Sequence, residues 1–333
     1  MQDFTISSPQ SLVAMIPAVL GFQPRQSLIV ATVAANQLGA TMRVDLGPTL
    51  IEDLGQLAEL AARQEADSVL AVIVDTTDTD HRPLIAALTD AMAVHSITVQ
   101  GAVSVPEITA GAAWACIQDE CGATGVIDDP RATPMAMAAV LAGRPIFRDR
   151  TELASLIDVN PAAVAVLTPI LGEPAALDPR DEDAPRRAAE AILAAIDDLE
   201  DGTVPDLAAL GALAAPLTDV RVRDMMFATA LSTRAAAAEQ LWLTMARVLP
   251  PRYRAEALTL HGYSCYSRGD GPLAGVSFAA ALSDHSGHSL ARLLDDALQS
   301  GASPQVLHSA AESSYRIAEA FGVALPTRRT QTT

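Results

Sequence analysis

Seven consecutive residues, Asp75-Thr76-Thr77-Asp78-Thr79-Asp80-His81, gather three carboxylates, three hydroxyls and an imidazole in one loop. Oxygen ligands at that density can hold Mg²⁺ or a metal-bound phosphate, and open α/β sheets bind ligands at the carboxyl ends of their strands. A plainer use competes with this one. Asp78 or Asp80 can cap a following helix and favour its dipole with no ligand at all, and the residue types favour that cap. Cys116 and Cys121, five apart, can join His95 or Asp119 around a metal, although zinc sites show closer pairs and four clear ligands. The expectation is no metal and no cofactor. A third cluster, Arg247, Arg252, Tyr253 and Arg254 around Pro250-Pro251, can accept an acidic peptide of a protein partner or a phosphate, although pairing with the chain's own acidic linker is the simpler use.

The missing residue types bound the chemistry further. All 22 basic residues are Arg, so a Walker-A lysine, a Schiff-base or pyridoxal-phosphate lysine and a Ser-Lys dyad are excluded. No Gly-x-Ser-x-Gly elbow, His-Glu-x-x-His helix, Gly-x-Gly-x-x-Gly loop or EF-hand is present. His285 and His288 flank a turn and read as exposed polar residues rather than a catalytic pair. The net charge of -18 argues against nucleic acid, which needs a clustered positive surface. That charge is uneven. Residues 1–172 hold 19 acids and 8 Arg, residues 173–206 hold 11 and 3, and residues 207–333 hold 10 and 11. Three cysteines do not make a secreted disulfide framework, the first Arg is Arg25, and uncharged runs such as 207–218 are too short for a bilayer. A soluble cytoplasmic protein with no membrane contact is expected.

These residues sit on a chain of 333, which at roughly 150 per domain suggests two domains. Pro9 to Leu20 reads as a helix ending at Gly21, Ser27 to Ala34 and Ala40 to Leu46 as a hairpin, and Leu50 to Gln64 as an amphipathic helix. Ser68 to Val74 is a continuous apolar run, the pattern of a strand buried on both faces. A helix over Pro83 to His95 and strands over Ile97 to Val105 and Ala112 to Ile117 complete an α/β domain with a mixed sheet, residues 1–172. Residues 173–185, rich in Pro, Asp and Glu, read as a linker. From 186 to 326 only helical periodicity appears, and 327–333 is a tail. Within this all-α region Gly262, Gly269-Asp270, Ala274, Phe278, Ala281 and Leu282 sit at tetratricopeptide offsets, so a tetratricopeptide-like hairpin is expected at about 255–283. An ordinary helical hairpin fits the same residues.

Ser11-Leu12-Val13-Ala14-Met15-Ile16-Pro17-Ala18-Val19-Leu20-Gly21-Phe22-Gln23-Pro24, then Ser27-Leu28-Ile29-Val30 and Arg43-Val44-Asp45-Leu46, resemble the opening of the actinobacterial DUF4192 family. Ala142-Gly143-Arg144, Arg150-Glu152-Leu153, Arg268-Gly269-Asp270-Gly271 and Leu290-Ala291-Arg292-Leu293-Leu294 are similar to its later segments. The resemblance implies no assigned activity. It gives weight to the turn Gly21, Phe22, Pro24 and to Arg43 with Asp45, which share a strand face and can line one pocket or pair. Family members often carry a Cys-Cys-Pro stretch where this chain has Asp119-Glu120-Cys121-Gly122, so adjacent cysteines are lost.

Together these features favour a non-enzymatic protein-interaction or scaffold module whose helical domain binds a protein partner. The alternative is an α/β enzyme or a binder of phosphate-containing small molecules, using Asp75, Asp78, Asp80 and His81 with Arg43 and Asp45.

Overall fold

The computed structural model of the chain describes residues 9–329 except 36, 78, 119, 120, 142, 175 and 176. It divides into two compact units, Met1–Leu153 and Ala154–Thr333.

In the first unit α1 (Pro9–Leu20) leads into the hairpin β1 (Ser27–Ala34) and β2 (Gln37–Asp45). Then follow α2 (Leu50–Arg63), β3 (Ser68–Val74), α3 (Arg82–Ala93), β4 (Thr98–Val105), β5 (Ala113–Cys116), β6 (Thr124–Val126) and α4 (Pro134–Leu141). The strands form one mixed sheet in the order β2-β1-β3-β4-β5-β6. Only the β3–β4 pair is parallel among the described strands. That pair needs a crossover connection, which α3 supplies. Leu50, Leu54, Leu57, Ala58 and Ala61 recur at helical spacing along α2 and are buried, with Glu52 and Asp53 in its first turn and Arg63 in its last, as the helix dipole favours. They pack with Leu84, Ile85, Leu88 and Met92 of α3 over Leu28, Val30, Ala71 and Ile73 of the sheet. On the opposite face Ile29, Val72, Val74 and Val105 are equally buried. The central strands are thus apolar on both sides, as the continuous run in β3 predicts.

A short helix, α5 (Arg150–Ala154), spans the junction of the units. The second unit then contains α6 (Pro161–Leu171), α7 (Ala184–Glu200), α8 (Leu207–Leu217), α9 (Val220–Met226), α10 (Ala235–Val248), α11 (Pro251–Ser267), α12 (Gly271–Asp284), α13 (Ser289–Gln299) and α14 (His308–Ala320). The helical unit begins earlier than 186. Leu167 of α6 fills the space a Cβ on Gly211 of α8 would take, 2.9 Å away, and Tyr253 Oη donates to the Leu171 carbonyl at 3.1 Å. The backbone N–H of Asn160 donates to the Arg247 carbonyl at 2.7 Å. Residues 154–172 are thereby committed to the helices that follow them. At the far end residues 327–329 are pinned rather than a free tail: Thr233 N–H donates to the Thr327 carbonyl at 2.9 Å, as does Arg329 N–H to the Leu231 carbonyl.

Residues 150–171 have the length and mean hydropathy, 1.6, of a membrane span. The helix is interrupted, because Asn160 Oδ1 accepts from Ala163 N–H at 3.2 Å and Pro161 follows it, which starts a new helix at α6.

At the centre of the second unit lies α11, with 13 of its 17 residues buried. Its closest neighbour is α12, and the approach is set by one residue: a Cβ on Gly262 would lie 2.4 Å from Phe278 Cε1. The small-residue-to-Phe contact read from the sequence is therefore present in this hairpin. Gly262→Ala gains about 1 kcal/mol of helix propensity but overpacks the contact at about 1–3 kcal/mol, so a net loss of stability is expected in urea denaturation. Adding Phe278→Leu should recover part of it. An increase in stability from Gly262→Ala alone would show that the two helices do not approach this closely.

Candidate functional site

Register places the two groups of polar residues in the first unit at one end of the sheet. Ser27 pairs with Asp45 on one side and Val74 on the other, and Val74 pairs with Val105. Alternation along β3 then sends Val74 to the Arg43 face and Asp75 to the other, where α3 begins. The groups share a sheet end and not a pocket.

Asp75 is buried and fully engaged. Oδ1 accepts from Thr77 N–H at 2.9 Å, and Oδ2 accepts from Thr77 Oγ1 at 2.5 Å and lies 2.7 Å from His81 Nε2. Burial alone would raise this carboxyl, but the Thr77 hydroxyl and N–H, then His81, outweigh it and hold the group below its usual value. His81 is the N-terminal cap residue of α3, and Asp80 Oδ1 accepts from Arg82 N–H at 3.1 Å. Among its described residues the loop is held by its own side chains, with Asp75 hydrogen-bonded to the half-buried His81 beside the helix start. Asp78 lies outside the described residues.

On the other face the family-like turn and the strand pair do come together. Gly21, at φ +71°, ends α1, and the turn is tied by Gln23 N–H to the Phe147 carbonyl at 3.0 Å and Phe147 N–H to the Gly21 carbonyl at 2.8 Å. Phe22 and Pro24 are buried. The Arg43 guanidinium lies 5.9 Å from the Phe22 ring centre, donates from Nε to Ser27 Oγ at 2.9 Å, and bonds Asp45 through Nη2. Of the two uses open to Arg43 and Asp45, the structure shows pairing.

Burial, then the neighbouring Cys121, raises the Cys116 thiol, and Cys116 in turn lowers the exposed Cys121. His95 is exposed and Asp119 lies outside the described residues.

In the second unit the Arg-Tyr cluster divides between surface and interior. Pro250 caps α11 and Pro251 opens it, so Tyr253 and Arg254 turn inward. Arg254 donates from Nε to the Ala246 carbonyl at 2.7 Å, from Nη1 to Asp284 at 2.6 Å and from Nη2 to the Ile157 carbonyl at 2.8 Å. Its fork ties three segments together. Arg247 and Arg252 are exposed, and Arg252 reaches Glu173 at 3.7 Å in the acidic segment. His288, expected at the surface, is buried. Its Nδ1 accepts from Ala291 N–H at 3.1 Å and caps α13, which draws the ring inward.

A cluster that spacing alone did not raise lies between α10, α11 and α12. Among the described residues, one group of three metal-ligating side chains converges: atoms of Glu239, His261 and Cys265 lie within 4.8 Å of one another. Arg268 donates to Glu239 from Nε at 2.9 Å and Nη2 at 3.1 Å, and lies 2.9 Å from Asp270. Burial, reinforced by the Arg268 charge, pushes His261 down to about 3, and burial pushes the Cys265 thiol well up. The available signal was His261-x-x-x-Cys265, which places both on one helix face. Glu239, 22 residues earlier, carried none.

Asp75→Asn should cost about 1.5–3 kcal/mol at pH 7, the range for hydrogen bonds to a charged group. A carboxyl lowered by folding stabilises fully above its ordinary value near 3.9 and loses that stabilisation as pH falls through the folded value. The deficit of the variant in urea denaturation should therefore narrow as pH falls below that ordinary value of about 3.9. A deficit unchanged between pH 7 and that range would show that the charge of Asp75 contributes nothing.

No curated protein and no solved structure matches the chain. The family model described as "Domain of unknown function (DUF4192)" matches residues 9–305. With the match running from the first helix across the first unit and most of the second, the chain belongs to the DUF4192 family.

Proposed function

We propose that this chain is a non-enzymatic protein-interaction module whose helical unit docks a partner protein along α6. The observation that carries the reading is the outer face of that helix. Ala162, Ala165, Val166, Pro169 and Ile170 fall at positions i, i+3, i+4, i+7 and i+8, and all five are exposed, Val166 at 52% and Ile170 at 70%. The inner face is also apolar and is packed: Ala163 and Leu167 are buried. A helix apolar on both sides is normally covered on both, so the exposed stripe fits a surface that something else completes.

Chemistry narrows the partner. No charged residue occurs from 159 to 172, so the facing surface is apolar and uncharged where it meets α6. A second copy would bring a net charge of -18 against an equal one, which favours a different protein of lower or opposite charge. The tetratricopeptide offsets read in the α11–α12 sequence fit the same class of function, since repeats of that kind serve as binding scaffolds. Ligand binding at the strand-end loop has less support, because its described carboxylates hold the loop and helix start themselves: Asp75 bonds Thr77 and His81, and Asp80 accepts from Arg82 N–H.

The test places a photo-cross-linking residue at Ala162 of the full-length chain in its own cells. A discrete adduct is expected, with the linked peptide apolar, and Val166→Glu with Ile170→Glu should reduce it more than tenfold. These side chains are exposed, so the double variant should keep its stability within about 0.5 kcal/mol. Adducts that survive the double substitution, adducts only with a second copy, or binding to phosphatidylglycerol vesicles in place of a protein would each overturn the reading.

A further inference from the structure

The cluster in the second unit brings a carboxylate, an imidazole and a thiol together, the side-chain types that bind zinc. His261 Nδ1 lies 2.8 Å from Ser277 Oγ, and that hydroxyl lies 2.9 Å from the Leu273 carbonyl. A hydroxyl has one proton and a carbonyl only accepts, so Ser277 donates to Leu273 and accepts from His261 Nδ1–H. The imidazole is therefore protonated at Nδ1 and bare at Nε2. That bare nitrogen faces the Cys265 sulfur at 3.8 Å. Tetrahedral zinc, with bonds of about 2.3 Å to sulfur and about 2.0–2.1 Å to nitrogen, sets the two ligand atoms roughly 3.5 Å apart. His261 and Cys265 already stand near that separation, and a Glu239 oxygen lies within 4.8 Å of both ligand atoms.

We propose that Glu239, His261 and Cys265 bind one thiophilic divalent cation of the zinc class through a carboxylate oxygen, Nε2 and Sγ. Ser277 fixes the imidazole tautomer from outside, as outer-shell partners of metal-bound histidines do. Arg268 and Asp270 form the rest of that outer shell. A carboxylate offers about four lone-pair sites, so Glu239 can keep its bonds to Arg268 and still reach a cation. The charge also closes. Glu239, Arg268 and Asp270 together carry one negative charge; on binding, the Cys265 S–H bond breaks, its proton leaves to solvent, and a sulfur–metal bond forms, so the +2 ion adds a net +1 and the cluster becomes neutral. Entry runs past Glu239 and Arg268, the members of the cluster with side-chain exposures of 23% and 32%, while His261 and Cys265 are closed off. Three protein ligands leave a fourth position for water or another donor.

The test uses full-length protein purified under reducing conditions, reconstituted with Zn²⁺ and desalted, with bound metal counted by mass spectrometry. About one equivalent is expected in the wild type and in Cys116→Ser with Cys121→Ser, as a single specific site requires. Cys265→Ser should hold less than a tenth of that, and Ser277→Ala should bind about 10–100-fold more weakly. Co²⁺ in place of Zn²⁺ should give a sulfur-to-cobalt charge-transfer band that Cys265→Ser abolishes. Circular dichroism checks that each variant is folded. If Cys265→Ser unfolds, the cobalt band and the weakened Ser277→Ala decide alone. Wild-type protein holding under a tenth of an equivalent, or metal lost with Cys116 and Cys121 but retained in Cys265→Ser, would overturn the site.

Discussion

The helical unit is organised by the burial of α11, which carries an arginine, a histidine and three tyrosines into an interior where an unpaired polar group costs about 1–3 kcal/mol. Each of these side chains therefore has to meet an acceptor, and the acceptors come from distant segments. Arg254 collects Ile157, Ala246 and Asp284; Tyr253 takes the Leu171 carbonyl; Tyr263 and Tyr266 take the carbonyls of Leu307 and Ala302 at 2.8 and 2.6 Å. Satisfying one helix thus specifies where the ends of α6, α10 and α12 and the turn before α14 must lie. Apolar packing by Trp242, Leu258 and Phe278 supplies the driving force, and the polar bonds select the arrangement.

The absence of lysine has a structural counterpart. Arg43, Arg254 and Arg268 each hold two or three acceptors at once: Ser27 with Asp45, two carbonyls with Asp284, and Glu239 with Asp270. A guanidinium presents five donors in a fixed plane, whereas an ammonium is a point charge on a flexible stem. These three positions depend on that fork, so replacing Arg by Lys there would leave acceptors unmet. Much of the charge that looks available for chemistry in the sequence is consumed in this way.

The sequence made most of the first unit legible because its elements advertise themselves. β3 carries six apolar residues in a row after Ser68, α2 has a clean buried row, and the hairpin carries β-rich strands. α4 and α6 stayed invisible for the opposite reason. Both are composed almost wholly of Ala, Val, Leu, Met, Ile and Pro with no charged residue, so no polar face marks a helical period. Missing α6 placed the start of the helical unit too late, at 186 instead of 154. The candidate residues fared by the range of their partners. Asp75 and His81 are six apart and Arg43 and Asp45 two apart, so local spacing found them. Arg254 meets Ile157 across 97 residues, and its burial could not be read from the Pro-Pro turn beside it. Glu239 joins His261 and Cys265 only because α10 and α11 pack side by side.

Charge and apolarity are segregated along this chain, and the segregation bears on how it associates. Residues 173–206 hold 11 acids against 3 Arg, directly after an α6 that has none of either. At physiological ionic strength the Debye length is about 8 Å, so these acids act on anything brought close to the neighbouring surface and little beyond it. An apolar stripe binds without regard to sign, but acids that follow it so closely in the chain repel a second negative surface at the distance where the stripe would begin to be buried. On the proposed reading, association through α6 would be governed by two independent quantities, apolar area for affinity and local charge for selectivity. The proposed partner would have to satisfy both, and a second copy, acidic itself, meets only the first.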